Sequence, residues 1–103
     1  MAAKGAGRLS GELFTECAGW IWEQMAEEGF QLSGELVELM LTTERELGLQ
    51  ARRLPEVAQL LADEFTMRGT TTAPYALDPP LIRAVLEWED EFLGLAGIPR
   101  AES

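Results

Sequence analysis

Carboxylates are the only side chains in this 103-residue sequence numerous enough to suggest acid–base or metal chemistry. It has 18 of them against eight lysines and arginines, with one cysteine and no histidine. Two carboxylate pairs, Glu35-x-x-Glu38 and Glu87-x-x-Asp90, stand at the i, i+3 spacing that puts both members on one helix face. Such oxygens suit a hard cation such as Mg²⁺. In a chain this acidic the spacing also arises by chance, and Arg45 and Arg83 are the only bases on those two segments. The missing histidine excludes Cys/His zinc sites and every Ser-His or Cys-His catalytic arrangement. A lone cysteine excludes a disulfide framework. Cys17 falls on an apolar face with no base to activate it, so it reads as a small buried hydrophobe. No catalytic residue, metal ligand or cofactor is expected.

Three charged residues intrude on apolar faces. Glu44 interrupts the arc of Leu36, Val37, Met40, Leu41 and Leu47. Glu89 projects between Leu93 and Ala96, and Arg68 lies on the face of Val57, Leu61 and Phe65. An unpaired buried carboxylate is costly. These positions therefore predict a buried polar network of Glu44, Glu89 and Arg68. The competing reading, an acid–base or metal pair, needs the same burial and carries less weight, because perturbed carboxylates are often only structural.

The remaining charge is unevenly placed. The segment 10–29 has five acids and no base, and Glu87–Glu91 adds four acids within five residues. A surface of this sign repels phosphates, so direct nucleic-acid binding is disfavoured. It favours association with a basic protein surface, at a rate that falls with salt. Trp20 and Trp22 border the apolar arc of the first helical segment on opposite sides. A tryptophan at such a border either closes the rim of the core or anchors a partner. Trp22 is the candidate anchor, flanked by Glu16, Glu23 and Glu27 and joined by Glu87, Asp90 and Glu91. Trp20 and Trp88 are assigned to the core.

Four helices must position these residues, near 10–29, 33–47, 55–68 and 79–96. Ser10 and Ser33 are N-caps with an acid in the following turn. Pro55 opens the third helix, while Asp78, Pro79 and Pro80 open the fourth. Gly29, Gly48, Gly69 and Gly97 mark the ends. The fold expected is a single small all-α domain over 10–97, in compact orthogonal or bundle packing, with one extended Thr/Pro loop before the last helix. Residues 1–9 are expected as a flexible N-terminal tail and 98–103 as a C-terminal tail. A chain of this length hides roughly 65% of its extended surface on folding. No apolar run approaches the roughly 18 residues of a membrane span, and the expected location is cytoplasmic.

The reading that uses most of these features is a small acidic protein-interaction module or regulator. Its partner is a protein, with a basic surface or as a second copy of this chain. A narrower form is an inhibitor that occupies the nucleic-acid site of a basic protein. One alternative is a winged-helix transcriptional regulator, yet helix 55–68 offers only Arg68 as a base, beside Asp63 and Glu64, for base readout. A second alternative rests on Glu35, Glu38, Glu87 and Asp90, whose spacing resembles the Mg²⁺-binding carboxylates of all-α nucleotide pyrophosphohydrolases.

Overall fold

A computed structural model describes Leu9 and residues 11–69 and 77–100. Four helices follow one another: α1 (Gly11–Glu27), α2 (Gly34–Glu46), α3 (Leu54–Arg68) and α4 (Pro79–Ala96). The described residues contain no β-strand. The expected cap at Ser10 and the expected extended loop at 70–76 lie outside the described residues. The other signals act as their chemistry requires. Ser33 stays extended and its hydroxyl accepts the Leu36 N–H at 3.1 Å. The Asp78 carboxylate accepts the Leu81 N–H at 3.1 Å, ahead of Pro79 and Pro80 in the first turn.

Two helix ends steer the chain back onto the core. Gly48 and Gly97 adopt φ of 67° and 72°, a left-handed geometry that costs a residue with a Cβ about 1–2 kcal/mol. At each, the next residue donates its N–H back into the last turn: Leu49 to the Glu44 carbonyl and Ile98 to the Leu93 carbonyl, both at 2.9 Å. Leu49 and Ile98 are buried, so each turn folds the chain back against its own helix.

The helices pack as a closed square, α1 on α2, α2 on α3, α3 on α4 and α4 on α1. The broad apolar arc of α4 is thus divided between two neighbours. Ile21, Met25, Met40, Leu41, Leu61, Phe65, Ile82 and Leu86 fill the interior. Leu9 joins this core although the sequence places it in a tail, and Ile98 does the same at the other end. Among the described residues no helix is long and apolar enough to cross a membrane.

Candidate functional site

Glu44 and Glu89 have no exposed side-chain surface, and they come from α2 and α4, which stand diagonally across the square. Diagonal helices leave a gap that short apolar side chains do not span. Long polar ones bridge it. Arg45 places Nη1 3.0 Å from Glu44 Oε1 and Nη2 2.8 Å from Glu89 Oε2, and its Nη1 also donates to the Leu41 carbonyl at 3.2 Å. Arg100 enters from beyond α4. Its Nη2 bonds Glu44 Oε2 and lies 2.9 Å from Glu89 Oε1, while Nη1 donates to Asp90 Oδ1 at 2.6 Å. The turn at Gly97 and the buried Ile98 aim Arg100 into this position.

The arginine expected here was Arg68, and that expectation is corrected. Arg68 is exposed, donates from Nε to Glu64 at 2.8 Å and approaches Glu46 at 3.8 Å. It sits in the last turn of α3, where a long side chain extends along the surface and keeps its charge in water. Arg45 and Arg100 are the partners that sequence reasoning missed. A usable signal existed for Arg100, because an apolar residue directly after a helix-ending glycine turns the chain back onto the helix.

Burial, and then the neighbouring Glu89 carboxylate, push Glu44 up to about 8, against the pull of Arg100 and Arg45. Arg100 loses by burial, but Glu89, Glu44 and Asp90 outweigh that loss and raise its pKa. Cys17 feels the same cluster. Burial first and Glu89 next push its thiol up to about 12, which leaves it neutral and a poor nucleophile. With both carboxylates fully enclosed and occupied by guanidinium groups, the cluster has no room for a substrate. Its chemistry is structural: it ties α2, α4 and the C-terminal segment together.

The carboxylates on which the Mg²⁺-enzyme alternative rests are committed or exposed. Glu87 accepts from Arg83 at 3.2 Å, Asp90 belongs to Arg100, and Glu35 and Glu38 are exposed on α2. No group of three or more His, Cys, Asp or Glu side chains among the described residues is arranged to hold a metal ion. On α3, the helix that would read DNA in a winged-helix protein, Gln59 bonds Asp63 at 3.0 Å and Arg68 bonds Glu64, so its polar groups satisfy one another.

The expected partner-binding residues are all exposed, but they do not form one patch. Trp20 meets α4, its ring 5.5 Å from Trp88 at 82° and 6.0 Å from Phe92. Trp20 and Trp88 are thereby half-buried at the α1–α4 seam. Trp22 is two residues on, about 200° around the helix, and so leaves α1 on the side away from α4, with 42% of its surface exposed. Glu12, Glu16, Glu23 and Glu27 form an exposed ridge between these borders and make no ion pair among the described residues. Glu87 and Glu91 lie beyond the Trp20 border, whereas Asp90 is held by Arg100 and drops out of the patch. No protein-family model, curated protein or solved structure matches this chain.

Proposed function

We propose that this protein is an interaction module that binds a basic partner protein through the outer half of α1. Glu16, Glu23 and Glu27 supply the charge, Trp22 an apolar contact at one edge, and Glu87 and Glu91 of α4 further charge beyond the other. The observation that carries this reading is where the charge remains uncompensated. Arg52, Arg68 and Arg83 are paired with carboxylates on their own or adjoining elements, and Arg45 and Arg100 are spent in the interior. Among the described residues the α1 ridge has no such neighbour, and α1 contains no base. Its field therefore extends into solvent, where it steers an oppositely charged surface. The protein acts by binding, not by catalysis. On a partner that itself holds nucleic acid, this face takes the place of the phosphate backbone.

The test is affinity capture at low and high salt with the unmodified chain and with a Glu16→Lys/Glu23→Lys/Glu27→Lys variant. The expected result is a basic protein retained at low salt, released at high salt and lost by the variant. Equal retention by both chains would contradict the proposal.

A further inference from the structure

Two surface grooves adjoin along α4. One, of about 350 Å³, is lined by Pro55 and Ala58 of α3 and by Pro79, Pro80, Arg83, Ala84 and Glu87. The other, of about 230 Å³, is lined by Glu28, Ala84, Glu87, Trp88 and Glu91. Ala84 and Glu87 line both, so the two lie side by side on one face of α4, and together they outline a shallow channel with prolines and Arg83 at one end and carboxylates around an indole at the other. We propose that an extended basic segment of the partner lies in this channel. A lysine or arginine side chain sits among Glu28, Glu87 and Glu91 against Trp88, with an apolar side chain on the proline-lined floor.

The channel's chemistry selects this occupant over others. Trp88 is held in one orientation, because Trp20 packs edge-on against it and its Nε1–H donates to Glu28 Oε1 at 3.3 Å. A cation beside a fixed indole gains from the ring quadrupole as well as from the carboxylates. Glu91 makes no ion pair among the described residues, and Glu87 holds only Arg83 of its own helix, an exposed pair of small worth that an incoming cation can compete with. Ala84, Trp88, Glu91 and Leu95 recur at i, i+4, i+7 and i+11, so they share one stripe of α4, and Leu95 at its far end is 76% exposed. From Pro80 to Leu95 the stripe runs about 22 Å, the span of six or seven extended residues at roughly 3.3 Å each.

This assignment rests on the proposed binding of a basic partner and adds where and how one of its segments is held. It is tested by titrating the ¹⁵N-labelled full chain with a capped heptapeptide, Gly-Leu-Pro-Arg-Gly-Leu-Gly, and with the same peptide carrying neutral citrulline for arginine. The expected result is saturable movement of the Trp88 indole N–H and the Ala84 and Glu91 amides with the arginine peptide, and loss of that movement with citrulline. Glu91→Gln is expected to weaken binding about threefold, the size of one exposed ion pair. Met67→Ala, at an exposed position in the last turn of α3 away from both grooves, is expected to leave it unchanged. Equal binding of the citrulline peptide, or no movement at Trp88, would overturn the channel assignment. Concentration-dependent movement of Trp88 without peptide would also overturn it and assign the channel to a second copy of the chain. Shifts confined to the outer amides of α1 would remove the channel while leaving the acidic module standing, and equal retention of the partner by the unmodified chain and the triple-lysine variant in the capture experiment would do the reverse.

Discussion

At the scale of single residues, the buried cluster sets two guanidinium groups, Arg45 and Arg100, against three carboxylates, Glu44, Glu89 and Asp90. One proton on Glu44 makes that sum neutral, which agrees with the upward shift of this group to about 8. The unfolded chain gives up this proton near 4.5, so the folded state binds it more tightly. Its contribution to stability is complete below pH 4.5 and is lost as the pH rises through 8. The chain has no histidine, the side chain whose ordinary pKa falls in the range of about pH 6 to 9. The melting temperature is therefore expected to fall across that window, and Glu44→Gln to flatten the fall. Glu89→Gln removes charge that both arginines use and is expected to cost about 3 kcal/mol or more in denaturant unfolding. A pH profile unchanged by Glu44→Gln would contradict the account of the cluster.

At the scale of elements, the turn at Gly97 makes the C-terminal segment part of the fold. Nothing lies within 4 Å of a Cβ built there, so Gly97→Ala meets only left-handed strain, about 1 kcal/mol. Arg100→Ala leaves buried carboxylates under-compensated and is expected to cost about 3 kcal/mol. Because both changes release the same segment, their sum should exceed the loss in the double variant. Strict additivity in urea unfolding would show that the segment does not dock as a unit. Helix ends such as Ser33, Asp78, Pro55 and Gly97 were legible in the sequence because caps and positive φ are local chemistry. The burial of Glu44 and Glu89 was legible too, since periodicity places a residue on a face. Their arginines were not. Periodicity does not say which helices stand diagonally, nor that the chain beyond Gly97 returns to them. The same limit merged Trp22 with the α4 acids, which α1's rotation sends to opposite borders.

At the scale of the whole molecule, the net charge of −10 has a definite geography. Among the described residues, Arg45 and Arg100 are held in the interior and Arg52, Arg68 and Arg83 pair with carboxylates along α3 and α4, while α1 carries an acidic ridge between two tryptophan borders. A purely solubilising charge would have no reason to act on one partner through one helix face. The most direct measurement is the association rate of the captured partner with the unmodified chain and with the Glu16→Lys/Glu23→Lys/Glu27→Lys variant, over a range of salt concentrations. Electrostatic steering predicts a rate for the unmodified chain that is fastest at low salt and falls steeply with ionic strength, and a slower, nearly salt-independent rate for the variant. The same rate and salt dependence in both chains would contradict the assignment of the α1 face as the partner-binding surface.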